Sequence, residues 1–136
     1  MTGEITSVDS KMIELLRAIQ SGKNVPKPFG QEIFLLKTHI AGIYYYEAKK
    51  VSERLKNGDY LIFQREAENK YDKMAIQILD LDKNKLGYVP RVKNEVISRL
   101  MDSGKILYGI IEKKEVTDEY IDISIKIFLK EIWWKK

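Results

Sequence analysis

The chain has 136 residues, no cysteine, and 24 Lys plus Arg against 20 Asp plus Glu, for a formal net charge of +4. That length holds one ordinary domain and argues against a multi-domain enzyme, and the 44% hydrophobic and 32% charged fractions are those expected of a soluble globular protein. The missing cysteine removes disulfides, thiolate zinc sites and thiol catalysis, which fits a reducing compartment, while the mild basic excess permits polyanion binding without demanding it.

The start, Met1-Thr2-Gly3-Glu4, lacks the basic and apolar regions of a signal peptide. No apolar run approaches the roughly 20 residues that span a bilayer, so a cytoplasmic address and no membrane partner are expected. Residues 9–20 place Met12, Ile13, Leu16 and Ile19 on one helical face, with Asp9 or Ser10 as N-cap and Ser21-Gly22 as stop. The following stretch to Pro28 contains two prolines and little to bury. Residues 1–28 are therefore expected to be an amphipathic helix and linker, and residues 29–136 the compact domain.

From Gln31 the periodicity becomes that of strands. It is clearest where Ile121, Ile123, Ile125, Ile127 and Leu129 alternate with Tyr120, Asp122, Ser124, Lys126 and Phe128. Similar patterns predict strands over 32–37, 39–45, 60–65, 74–79 and 105–112, with turns at Asn57-Gly58, Asp82-Lys83-Asn84 and Thr117-Asp118. A short helix is expected over 47–55. A longer one follows Pro90, with Val92, Val96 and Leu100 aligned, Ile97 and Met101 beside them, Pro90 at the first helical position and Gly104 as the stop. The expected fold class is α+β, mainly β: a small antiparallel OB-like barrel of about six strands with an added N-terminal helix.

Enzyme signatures are missing: there is no phosphate-binding Gly-rich loop ending in Gly-Lys-Ser/Thr, no Gly-x-Ser-x-Gly and no His-Glu-x-x-His. The sole histidine, His39, cannot nucleate a typical zinc site without a second histidine or a cysteine. Asp80-Leu81-Asp82-Lys83-Asn84 superficially resembles a calcium loop, but Lys85 and Arg91 stand where glycine and the bidentate glutamate are needed, so a polar hairpin turn is expected. Neither metal nor cofactor is implied. Trp133-Trp134 reads as packing at the end of a core more than as a base-stacking platform. If Tyr44-Tyr45-Tyr46 lies on a strand, alternation sends Tyr45 to the face opposite its neighbours, so at least one tyrosine faces solvent or a groove.

The most informative stretch is 64–76, where a strand runs into a polar loop and a second strand begins. Asn69 and Asp72 can shape that loop through backbone hydrogen bonds. The same atoms suit nucleic acid: Tyr71 offers a face to an unstacked base, Lys73 or Arg65 offers charge to phosphate, and Asp72 or Asn69 can accept a hydrogen bond from a sugar hydroxyl.

The order of the pieces is distinctive. Ile40-Ala41-Gly42-Ile43-Tyr44-Tyr45 is followed by Gly58-Asp59, then Arg65-Glu66 through Asn69-Lys70-Tyr71-Asp72 to Ala75-Ile76, then Leu86-Gly87-Tyr88-Val89-Pro90-Arg91 and Asp102-Ser103-Gly104. This series, over roughly 34–129, resembles the HIRAN domain, found at the N-terminus of fork-remodelling helicase-like proteins and as small stand-alone proteins. The resemblance implies a non-enzymatic OB-like module that grips the 3′ end of single-stranded DNA in DNA repair or fork processing, beside a helicase or other DNA-processing protein. It implies that Tyr71 stacks on the terminal base and Asp72 binds the 3′-hydroxyl. Asn69, Tyr45, Lys73 and Arg91 then fall where the family contacts phosphate or supports the pocket. Tyr44 and Tyr88 stand where DNA-binding relatives carry a basic residue or histidine. The alternative expectation is a protein-interaction adaptor with weak or no DNA binding.

Overall fold

The computed structural model describes residues 13, 14, 16, 17 and 31–131. The proposed N-cap, Met12, Ile19, the proline-containing linker and Trp133-Trp134 lie outside the described residues. Six strands form one antiparallel sheet in the order β1-β6-β5-β2-β3-β4: β1 Gln31–His39, β2 Tyr60–Arg65, β3 Ile76–Leu79, β4 Lys85–Tyr88, β5 Ile106–Val116 and β6 Ile121–Glu131. Within residues 31–131 two α-helices, α1 Ala48–Val51 and α2 Arg91–Asp102, interrupt it. Among the described residues no helix is long and apolar enough to cross a membrane.

The period-two pattern of β6 does what alternation requires: Ile121, Ile123, Ile125, Ile127 and Leu129 are all buried and their neighbours half-buried. These side chains meet Leu61, Phe63, Ile76, Ile78, Leu86, Leu107 and Ile111 in the main core, which Ile97 of α2 closes. The chain beyond β1 reaches the opposite edge of the sheet, where Ala41 forms an isolated bridge with Tyr88 of β4. The OB-like ring is joined by that bridge, not by a continuous ladder.

Several expectations need correction. The strand expected over 39–45 does not form: β1 ends at His39, Gly42 takes φ 69°, open to glycine at little cost, and the chain turns into a 3-10 segment, Ile43–Tyr45. A four-residue strand, β4, was not expected at all. The buried stripe of α2 is also rotated from the expected one. Asn94, Ile97 and Ser98 face inward, while Val92 and Val96 are 88% and 62% exposed. Pro90, expected at the first helical position, is instead the N-cap, one residue ahead of Arg91. By contrast, Asp80-Leu81-Asp82-Lys83-Asn84 is the polar turn anticipated, the Asp80 carboxylate accepting from the Asp82 and Asn84 backbone N–H and from the Asn84 side-chain amide.

The outer face of the sheet carries a second core. Tyr108, fully buried, stacks between Tyr60 and Phe128, and Ile62, Leu79 and Leu81 extend the patch. Ile13 and Leu16, both helical, pack onto it, and Arg17 hydrogen-bonds the Leu81 carbonyl and pairs with Asp82 at 3.1 Å. Glu14 and Arg17, the other described residues of this helix, are exposed. The Tyr108 hydroxyl donates to the Glu32 carboxylate, which also receives the Tyr60 hydroxyl. Because the Glu32 carboxylate is exposed and keeps Tyr60, Tyr108→Phe is expected to cost about 1.5 kcal/mol, the low end for a bond to a charged group. The check is a small fall in the urea midpoint with an unchanged m-value.

Candidate functional site

Arg65 ends β2 opposite Ile76 of β3, so residues 66–75 must connect two paired strands. Asn69 builds the near side of this loop. Its Oδ1 accepts from the backbone N–H of Tyr71 at 2.8 Å and of Asp72 at 3.1 Å, and its Nδ2 donates to Glu66 Oε1 at 3.0 Å. Asp72 builds the far side, Oδ1 accepting from the Met74 N–H at 2.9 Å. Two side chains thus satisfy the backbone donors that the turn leaves without strand partners. Tyr71 sits between them with its ring 87% exposed.

Asp72 is also anchored from α2. Asn94, 3% exposed, donates from Nδ2 to Asp72 Oδ2 at 2.8 Å. Arg91 Nε lies 3.5 Å from the same oxygen, and Arg91 Nη2 donates to the Tyr71 carbonyl at 3.3 Å. Burial of the Asp72 carboxyl works to raise its pKa and is the largest single influence. The Asn94 and Met74 hydrogen bonds together with the Arg91 and Arg65 charges outweigh it and hold the group below the ordinary aspartate value. Asp72 is therefore a carboxylate, an acceptor only, at neutral pH.

Arg65 is not the free cation that its sequence position suggested. It grips Asp102 with two hydrogen bonds, 2.9 and 3.1 Å, and donates to the Ala75 carbonyl at 2.8 Å, tying the loop to the end of α2. Lys73, by contrast, is exposed and has no side-chain hydrogen bond or ion pair among the described residues.

Glu66 links the loop to the neighbouring strand. Its Oε1, held by Asn69, also accepts the Tyr88 hydroxyl at 2.6 Å. Lys85 Nζ donates to the Tyr88 oxygen at 2.7 Å and lies over the rings of Tyr46 and Tyr88, 4.3 and 4.4 Å from their centroids. Burial, then Glu66, push the Tyr88 phenol up, so it remains a donor.

Of the sequence candidates, Asn69, Tyr71, Asp72 and Arg91 are joined directly, and Tyr88 joins them through Glu66. Tyr45 lies on the 3-10 segment beside the Ala41–Tyr88 bridge, 84% exposed and with no side-chain hydrogen bond or ring partner among the described residues. Tyr44 points elsewhere, its hydroxyl accepting from the Ile121 N–H at 3.3 Å. The expected alternation of the three tyrosines fails because they do not lie on a strand: Tyr44 and Tyr45 are both exposed and Tyr46 is half-buried. Glu66, Lys85 and Asn94 were not anticipated as part of the network. Only Glu66 had a signal, its place in the quoted loop.

The sequence model of the HIRAN domain family matches residues 33–131, which includes every residue of this network. The chain belongs to the HIRAN domain family. Among its relatives, the helicase-like transcription factor of Oryctolagus cuniculus is 29% identical over 80 residues, a match spanning 54% of this chain and 8% of that protein. A crystallised protein from Lactobacillus plantarum aligns with a TM-score of 0.67 at 30% identity, covering 75% of this chain and 98% of its own. The HIRAN domain of human HLTF aligns with a TM-score of 0.62 at 17% identity over 80% of this chain and 85% of that domain. The HLTF HIRAN domain in its DNA-bound conformation aligns with a TM-score of 0.52 at 17% identity, over 76% and 82%. At 17% identity these two likenesses speak for the fold. In this HIRAN domain Tyr88 does not leave its surroundings without a cation, since Lys85 bonds its hydroxyl, but Glu66 lies 3.6 Å from that ammonium and offsets its charge.

Proposed function

We propose that this HIRAN domain binds single-stranded DNA at a free 3′ end, acting in DNA repair or replication-fork processing beside a helicase or other DNA-processing protein. The observation behind this reading is the pairing of a fully presented aromatic ring, Tyr71, with an immobilised, ionised carboxylate, Asp72, on the adjacent residue. A terminal base stacks on Tyr71, and the 3′-hydroxyl donates to Asp72. Arg91 and Lys73, both exposed, meet backbone phosphates, and Tyr45 supplies a second aromatic surface. Asn69 sets the loop without touching the ligand. The existence of a DNA-bound conformation of the HLTF HIRAN domain, which shares this fold, supports nucleic acid as the ligand class.

An ionised acceptor favours a hydroxyl and repels a phosphate at the same place. Fluorescence anisotropy with short oligonucleotides should therefore give an affinity about tenfold or more higher for a 3′-hydroxyl than for a 3′-phosphate end, the worth of one charge-assisted hydrogen bond. With two phosphates engaged, the logarithm of affinity should fall against log salt with a slope of about −1.4. Equal affinities for the two ends would reject end recognition. The outward-facing Val92 and Val96 favour the adaptor as the second reading. No binding at low salt, together with recovery of a protein partner that Val96→Asp abolishes, would establish it instead.

A further inference from the structure

Asn94 and Ser98 are the buried polar side chains of α2, and Asn94 is the one that bonds a carboxylate of the loop. It lies 3% exposed, on the stripe where the helix otherwise presents Ile97 and Met101 to the core. An apolar residue there would satisfy packing, so the buried amide calls for a reason in its hydrogen bond. That bond is the 2.8 Å contact to Asp72 Oδ2. Asp72 Oδ1 is already engaged by the Met74 N–H, so these two donors fix the plane of the carboxylate at both ends. The remaining cations that face it are Arg91, from the first residue of α2, and Arg65, from β2. Arg91 is largely exposed and 3.5 Å away, and Arg65 is committed to Asp102. Neither orients the carboxylate as a buried, short hydrogen bond does.

We infer that Asn94 is a positioning residue that sets end specificity: by holding Asp72 in one orientation as a hydrogen-bond acceptor, it gives the site its preference for a terminal hydroxyl over a terminal phosphate. This rests on the binding reading above. Asn94 itself does not touch the ligand. Stacking on Tyr71 and the phosphate contact of Lys73 do not use Asp72, and Arg91, largely exposed and 3.5 Å from Asp72, keeps its bond to the Tyr71 carbonyl. Removing the amide should therefore erase discrimination without erasing binding.

The test uses the full chain carrying Asn94→Leu, with Asn94→Ser as a companion that adds no volume. Anisotropy is measured with oligonucleotides ending in 3′-hydroxyl or 3′-phosphate, alongside the unfolding temperature and a carbon-13 NMR titration of the Asp72 carboxyl. In both variants the 3′-hydroxyl affinity should fall about tenfold, to that of the 3′-phosphate oligonucleotide, whose own affinity is unchanged. The Asp72 titration midpoint should move up. Equal loss for both oligonucleotides, tracking a lower unfolding temperature, would make Asn94 a scaffold residue only and overturn the inference. So would retained discrimination. If the unaltered protein itself ignores the end group, end recognition fails on its own account. The positioning role is then decided by the Asp72 midpoint, and an unmoved midpoint overturns it.

Discussion

Gly87→Ala should lower the stability of this domain by about 3 kcal/mol, the upper part of the range for forcing atoms into a filled space. A Cβ at that position would stand 2.4 Å from the Ala41 carbonyl oxygen and 2.5 Å from Ile40 Cγ2. The first of these is backbone and cannot swing aside. It is held where it is by the paired bonds Ala41 N–H to Tyr88 O and Tyr88 N–H to Ala41 O, 2.8 and 2.9 Å, that join the two ends of the sheet. Alanine must therefore either break that bridge or push β4 outward. Calorimetry should record a fall of about 10 °C in Tm. The informative control is Gly58→Ala, where φ is +94° but nothing lies within 4 Å, so the cost should be limited to about 1–2 kcal/mol of backbone strain. Similar losses in the two variants would mean that close approach is not what position 87 requires. Because Tyr88 follows directly, displacement of β4 should also disturb its bonds to Glu66 and Lys85, linking ring joining to the candidate site.

Local signals and long-range pairings were not equally legible in the sequence. The sequence pattern marks β2 at both ends, and β6 nearly so, because a buried strand repeats every two residues whatever it packs against. The loop that presents Tyr71 was also legible, since Asn69 and Asp72 act on backbone groups within three residues of themselves. The turn after β1 was not. Ile43 and the three tyrosines have strand propensity, and the left-handed Gly42 that overrides them is read only when the Ala41–Tyr88 bridge is known.

The stripe of α2 departs from the apolar pattern for a related physical reason. An apolar pattern selects Val92 and Val96, but the helix is rotated so that Asn94 can reach Asp72 and Ser98 can reach Met74, 3.2 Å from its sulfur. Buried polar bonds fixed an orientation that hydrophobicity alone assigned elsewhere. The same applies to Lys85 and Glu66. Each looks like an ordinary surface charge in the sequence; Lys85 shares β4 with Tyr88, and the pairing of β3 with β2 and β4 brings Glu66 against the same hydroxyl. The second core was hidden because Tyr60, Tyr108 and Phe128 sit on the face that alternation assigns to solvent, which the N-terminal helix partly covers.

Tyr71→Ala should weaken binding of a short single-stranded oligonucleotide about 10- to 100-fold, the worth of one base stacked on an aromatic ring. Stability should hardly change. The ring is 87% exposed, and what orders the loop is the Tyr71 backbone, its N–H on Asn69 and its carbonyl on Arg91. Tyr71→Phe keeps the aromatic face and should bind within about twofold of the unaltered protein, since the hydroxyl has no part in stacking. Tyr45→Ala provides the internal comparison. That ring is 84% exposed as well, but it lies on the 3-10 segment and not beside the anchored carboxylate. If the end of the strand is gripped at Tyr71, only Tyr71→Ala should reduce the preference for a 3′-hydroxyl, because a base that no longer stacks no longer delivers its sugar to Asp72. Tyr45→Ala should weaken both oligonucleotides alike. A Tyr71→Ala variant with undiminished affinity, at an unfolding temperature equal to that of the unaltered protein, would remove the aromatic face of this loop from the binding site.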